Sequence, residues 1–209
     1  MADCPAFAAL SVAAFKDDPM VGYLTRDVPP EILHTYQCQR YERLLETSAL
    51  NGLKVFKAVD DDTGETVALA RWQYPHTLST TQQAEKEKSQ NATPAKPIGY
   101  NTELEKEVLG AIDNFREKHV DNSKDFVLLG LAVSPTHQRL GLGSLLIREG
   151  LAVADAVGAK TYVESSPVGE RVYSKHGFKH IDEVLVDMRR YGGKGVAVQK
   201  CMVRDVSGG

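Results

Sequence analysis

Apolar positions fall into three patterns along this chain, namely helical spacing, strand alternation and one unbroken run, in an order that predicts a mixed α/β fold. Phe7, Leu10, Val12 and Phe15 recur at roughly helical spacing behind Asp3 and Pro5, which suit an N-cap and an early helical position. After a break at Asp17-Asp18-Pro19, the stretch from Pro30 to Glu46 sets Ile32, Leu33, Tyr36, Tyr41, Leu44 and Leu45 on one broad stripe, a second helix. Leu53 to Val59 and Val67 to Trp72 are β-prone runs around Asp61-Asp62-Thr63-Gly64. The glycine there can take the positive φ of a hairpin loop, so an antiparallel pair is expected. From 77 to 97 the periodicity disappears and Ser, Thr, Gln, Lys, Glu, Ala and Pro dominate. Such a composition buries too little surface to offset its ordering entropy, which predicts an exposed, flexible insertion. Thr102 then opens a capping-box-like Thr-Glu-Leu-Glu, and Leu104, Val108, Ile112 and Phe115 carry a third helix to about His119. The remainder reads as strand 126–133, helix 142–157, strand 161–165, short helix 168–175, strand 178–188 and a last strand near 196–204. One domain spanning 1–209 is the expectation for this length.

Composition narrows the function classes without choosing one. With 42% hydrophobic, 25% charged and 7% aromatic residues, the chain sits near soluble globular averages. A net charge of −3 argues against a protein that works by neutralising many phosphates, so nucleic acid is not the expected partner. Cys4, Cys38 and Cys201 are odd in number and lack CxxC spacing, which reads as reduced thiols rather than a zinc or redox site. The apolar start is cut short by Lys16, Asp17 and Asp18, so no membrane span is expected and a cytoplasmic location follows by default.

Chemistry concentrates between 126 and 180. Phe126-Val127-Leu128-Leu129-Gly130-Leu131-Ala132-Val133 is a nearly continuous apolar run, as for a strand buried on both faces. Gln138-Arg139-Leu140-Gly141-Leu142-Gly143-Ser144 follows, and then a helix carrying Leu145, Leu146, Leu151 and Val153. The glycines let a backbone approach a ligand closely, and the helix start offers unpaired N–H donors and the positive end of a dipole. A pyrophosphate suits that arrangement, although turn glycines of purely structural value give the same pattern. A dinucleotide fingerprint needs a glycine where Leu146 stands, and the Gly-Lys-Ser/Thr end of a P-loop is missing.

Gln138-x-x-Gly141-x-Gly143 behind Ala132-Val133-Ser134-Pro135 resembles the acetyl-CoA motif of the GNAT superfamily of N-acetyltransferases. Glu164-Ser165-Ser166-Pro167-Val168-Gly169 and Tyr173-Ser174-Lys175-His176-Gly177-Phe178 resemble the family's next strand, helix and Tyr-x-x-x-Gly-Phe ending. The Glu-Ser-Ser-Pro-x-Gly variant and the later Met188-x-x-Tyr191-Gly192-Gly193 are similar to a branch common among fungal members. The resemblance implies the GNAT fold, a central mixed twisted sheet flanked by helices, with parallel strands splayed at the cofactor site. It also implies acetyl-CoA as cofactor, leaving as coenzyme A, and an amine acceptor that attacks the thioester directly. The backbone of Leu131, Ala132 and Val133 would pair with the pantetheine arm. Gln138, Arg139, Leu140, Gly141, Leu142, Gly143 and Ser144 would hold the pyrophosphate, most of them through backbone N–H groups.

The resemblance assigns Tyr173 as the acid that protonates the departing thiolate, against the alternative of a tyrosine packed in the core. Glu164, the one carboxylate inside the two motif strands, is the first candidate for general base. An ion-paired glutamate that orders the sheet, with water relayed from solvent as the base, is the other reading. For the oxyanion, the backbone N–H of Val133 or Ala132 is the expected donor. Ser166 either contacts the cofactor arm or caps the helix after it. His176 and His180 straddle Gly177-Phe178, where the short helix should end, so no metal site is expected. The acceptor reading is a small-molecule amine. The alternatives kept beside it are a protein or peptide acceptor and a non-catalytic acyl-CoA-binding module, and a homodimer is compatible with the resemblance.

Overall fold

The computed structural model describes residues 2–90 and 93–206. Helices α1 (Cys4–Ala14), α2 (Pro19–Thr25) and α3 (Pro30–Glu46) precede strands β1 (Leu53–Val59) and β2 (Thr66–Gln73), followed by α4 (Thr80–Gln90) and α5 (Thr102–His119). The second half runs β3 (Phe126–Val133), α6 (Leu142–Ala156), β4 (Thr161–Ser165), α7 (Pro167–Ser174), β5 (Lys179–Asp187) and β6 (Val196–Arg204). All six strands join one sheet in the order β1-β2-β3-β4-β6-β5, antiparallel except for the parallel β3–β4 pair.

Strand alternation sorts side chains onto two faces. Trp72, Phe126, Leu128 and Val163 meet α6 and α7, while Val127, Tyr162, Val184 and Val186 meet α5. α1 and α3 cover the outer part of the second face, where Phe7 and Tyr41 pack on Leu69 and Ala132. β3 takes part in all three clusters, which is why its sequence is apolar at nearly every position. The helix α6 lies tightly on the sheet because of Gly150. A Cβ there would sit 2.2 Å from the ring of Trp72, which is fully buried.

Several boundaries differ from the sequence reading for identifiable reasons. The Asp17-Asp18-Pro19 break is also a helix start, with the Asp18 side chain accepting from Val21 N–H at 3.0 Å and Pro19 at the first helical position. Asp3 precedes α1 but makes no capping bond, because its carboxylate is drawn 2.7 Å to the Lys57 ammonium on β1. Asn101, rather than Thr102, caps α5 by accepting from Leu104 N–H at 3.0 Å. The segment 77–97, expected to lack regular structure, contains α4. Its side chains are mostly exposed, as their polarity requires, and residues 91 and 92 of that segment lie outside the described residues. The hairpin turn is as expected, with Gly64 at φ +72° and the Asp60 carboxylate accepting from Asp62 and Thr63 N–H. No helix among the described residues is long and apolar enough to cross a membrane.

Candidate active site

Only three residue pairs join β3 to β4, from Phe126 opposite Thr161 to Leu128 opposite Val163. Beyond them the strands splay, since Glu164 and Ser165 continue to pair with β6 and not with β3. On its other side β3 stays bonded to β2 up to Val133, and Ser134 N–H donates to Val67 C=O at 2.8 Å. In a strand the N–H and C=O of one residue point the same way and alternate from residue to residue. Ala132, two residues before Ser134, therefore also turns toward β2, and Leu131 and Val133 present their backbone groups to the splayed side. The Gln138 side-chain amide donates to Val133 C=O on that side at 3.4 Å.

The turn after β3 supplies the second element. Arg139, at φ +67°, is the non-glycine residue in the left-handed region among those described, and Gly141 follows at φ +85°. Left-handed residues in a tight turn curl successive N–H groups toward one concave side, an anion-binding arrangement. Gly141 has no side chain to cap α6, so the N–H groups of the first helical turn are left to a ligand or to water. Across this turn, His137 Nε2 lies 3.4 Å from Asp60 Oδ2, which ties it to the β1–β2 hairpin.

Tyr173, from α7, is buried beside Phe178 with ring centroids 5.9 Å apart, yet it reaches the wall of the cavity that the splay opens. Burial, and then the charge of Glu164, push its phenol above the ordinary tyrosine value. It is thus a protonated group at neutral pH. Gly169 permits this placement, because a Cβ there would come within 2.8 Å of Ser165 Oγ and 3.2 Å of the Tyr173 ring. Ser166 caps α7 by accepting from Gly169 N–H at 3.3 Å while also lining the cavity.

Glu164 is not a free carboxylate. Arg116 from α5 clasps it through two hydrogen bonds, Nε to Oε1 at 2.7 Å and Nη2 to Oε2 at 2.6 Å, and its side chain is only 7% exposed. Burial alone would lower the Arg116 guanidinium, and the bonds and charge of Glu164 more than offset that, leaving it above the ordinary value. The geometry therefore favours the sheet-ordering reading of Glu164 over the general-base one, since both oxygens already have partners.

A cavity of about 1300 Å³ joins these parts. Its wall includes Leu131, Val133, Gln138, Arg139, Gly141, Leu142, Gly143, Ser144, Glu164, Ser166 and Tyr173 from the sequence reading. Ala132 is absent from it because its side chain packs under α1, and Leu140 because it turns outward at 69% exposure. The sequence reading passed over Arg71 on β2 and Gly130 on β3, which line the cavity, and Arg116, which acts on it through Glu164. A charge inside the apolar run Val67 to Trp72 and a glycine inside that of β3 were the available signals for the first two; Arg116 carried none.

The model of the family described as Acetyltransferase (GNAT) family matches residues 64–178, more than half of the chain. The chain belongs to that family. It is an acyl-CoA-dependent acetyltransferase, and the matched region ends at Phe178, where the tyrosine motif ends. Among curated protein sequences none matches. Solved structures share the fold at low identity. A Corynebacterium glutamicum protein described as histone acetyltransferase HPA2 and related acetyltransferase is 19% identical with a TM-score of 0.61, over 100% of this chain and 94% of its own. A mosquito arylalkylamine N-acetyltransferase like 5b is 13% identical with a TM-score of 0.61, over 99% and 96%. The PaiA N-acetyltransferase of Thermoplasma acidophilum, solved with coenzyme A, is 11% identical with a TM-score of 0.51, over 98% and 93%.

Proposed function

We propose that this chain, as a single domain, transfers the acetyl group of acetyl-CoA to the primary amine of a small molecule by direct attack in a ternary complex. The observation that carries the reading is the continuity of the cavity. One space runs from the Gly141 turn, along the splayed edge of β3 and past Tyr173, to a chamber walled by α1, α2 and α3. A cofactor arm and an acceptor amine can meet there, and a recess walled by three helices suits a small acceptor better than a folded protein. Neighbours that share the fold are named N-acetyltransferases, in keeping with an amine acceptor.

When bound, acetyl-CoA supplies the thioester whose acyl carbon is attacked. The residues then take the following roles. N–H groups of the 139–144 turn and the first turn of α6 hold the pyrophosphate. Leu131 and Val133 pair with the pantetheine arm, and of the two expected oxyanion donors Val133 is the one whose N–H faces the splay. Tyr173 holds the proton that the departing sulfur takes. Water in the open part of the cavity removes the proton of the amine, because Glu164 is engaged by Arg116. Ser166 serves as a helix cap beside the arm.

The test is a melting measurement with and without saturating acetyl-CoA, followed by thiol release with a panel of amines for wild type and Tyr173→Phe. Ligand at a hundred times its dissociation constant raises stability by about 2.7 kcal/mol, roughly 5–11 °C for a chain of this size. Tyr173→Phe is expected to keep that rise and lose about 10²–10⁴-fold in turnover. No rise in wild type would remove the cofactor reading, and unchanged turnover in the variant would return Tyr173 to the core.

A further inference from the structure

Arg71 is on β2 between Ala70 and Trp72, which face the core beneath α6. Alternation therefore sends its side chain to the opposite face, and it lines the cavity at the end walled by α1 and α3. Two contacts hold it there. Its guanidinium lies 5.8 Å from the centroid of the Tyr41 ring, which is itself fixed by a 2.6 Å hydrogen bond with Ser11 and an edge contact with Phe7. Opposite it on β3 stands Gly130, where the β2–β3 register shifts, and a Cβ at that position would lie 2.6 Å from Arg71 Nη2. The glycine leaves the space that the guanidinium fills.

What Arg71 lacks is a counter-charge. Among the described residues no carboxylate or hydrogen-bond acceptor is bonded to it, whereas Arg116 is clasped by Glu164. Burial holds its pKa below the ordinary arginine value, and the cations Arg40 and Arg116 push the same way, against the opposing effect of Tyr41. A guanidinium partly withdrawn from water with no partner is costly, and an entering anion relieves that cost. The planar fork of N–H donors matches the two oxygens of a carboxylate, and the cation–π contact with Tyr41 draws the guanidinium toward that ring. Gly130 is also well up the strand from the Gly141 turn, so this cation stands apart from the residues that would hold the cofactor's pyrophosphate.

We infer that Arg71 anchors a carboxylate of the acceptor, so that the substrates of this enzyme are amines that also carry a carboxylate. The inference rests on the acetyltransferase reading above and adds the acceptor class to it. Thiol release is measured for matched pairs that differ only in charge, 4-aminobutyrate against 4-aminobutyramide and 4-(aminomethyl)benzoate against its amide. In wild type kcat/KM should favour the acid by about 10- to 100-fold, the range for a charge-assisted pair in a partly dry site. In Arg71→Gln the preference should vanish while the acetyl-CoA melting rise stays. Arg71→Lys, which keeps the charge without the fork, should retain part of the preference and serves if the glutamine variant does not fold. Where neither pair is turned over, binding of the N-acetylated acids and amides to the coenzyme A complex is compared by calorimetry, with the same expectation. Amides used or bound as well as acids, no binding of either, a preference that survives Arg71→Gln, or loss of the acetyl-CoA rise in that variant would each overturn the anchor. A normal acetyl-CoA rise with neutral amines turned over as efficiently as the matched acids would do so while leaving acetyl transfer intact, and a wild type without the rise would remove both.

Discussion

Replacing Arg116 by Met tests the electrostatics of the site most directly, because it leaves the Glu164 carboxylate almost fully buried with both oxygens unpartnered. The pair is bidentate, at 2.7 and 2.6 Å, with side chains 29% and 7% exposed. Removing one member of a buried pair costs about 3–5 kcal/mol. Water reaches the exposed third of Arg116, so the lower end, about 3 kcal/mol, is expected. For a domain of this size that is roughly a 6–12 °C fall in Tm. The double substitution Arg116→Met with Glu164→Leu removes both charges and should recover most of the loss, since an apolar pair of similar volume fits the same space. Thermal unfolding of the two single variants and the double closes the cycle. Turnover of the double variant is the second readout: a lost general base costs about 10²–10⁴-fold, so activity within about tenfold of wild type is expected if Glu164 only orders Arg116 and the sheet. A Tm within about 2 °C of wild type for Arg116→Met would refute the energetic argument. A Glu164→Gln variant of near-normal stability that has lost more than 100-fold in kcat would refute the assignment of the base to water.

Other substitutions probe separate links. Gly150→Leu forces a side chain into the Trp72 ring, whose atoms begin 2.2 Å from the new Cβ; a loss of at least about 1–3 kcal/mol by denaturant unfolding is expected, and none would mean that α6 lies farther from the sheet. Gly141→Glu meets no atom within 4 Å but must hold a side chain at φ +85°, at a cost of about 1–2 kcal/mol. It should fold and show no acetyl-CoA melting rise, because its charge stands beside the turn that would hold pyrophosphate; a full rise would contradict the turn's role. Burial, with the charges of Glu164 and Asp182, pushes the Cys201 thiol up to about 12, and the side chain is inaccessible. In the native protein a thiol reagent should therefore spare it, Cys201 reacting only after denaturation. Tyr173, held above the ordinary tyrosine value, is protonated in both folded and unfolded states at neutral pH, so its contribution to stability is intact there. It is lost as pH rises past about 10, where unfolded-state phenols ionise. Tyr173→Phe should accordingly soften the alkaline fall in Tm.

The sequence alone determined those features that depend on neighbours a few residues apart. Helical spacing placed α1, α3 and α5, the Gly64 turn placed the β1–β2 hairpin, and the run from Phe126 to Phe178 placed strand, turn, helix, strand and tyrosine in order. Local capping was less legible, because Asp3 and Thr102 each have the right chemistry for a cap. The choice went to Asn101 for α5, and Asp3 was drawn away by Lys57, 54 residues along the chain. Polar composition likewise could not distinguish an exposed helix from an exposed loop between Thr80 and Gln90, since neither buries much surface. Only the tertiary structure decided what stands beside each charge. In the sequence Glu164 is open between a base and an ion-paired residue, and only the fold brings Arg116 of α5 to it across 48 residues; Arg71 is one residue of an apolar strand, and only the fold sets it opposite Gly130 and beside Tyr41. The physical reason is one of range. Backbone preferences and periodicity act over a turn or two of chain, whereas the fate of a buried charge depends on groups that meet only when sheet and helices pack.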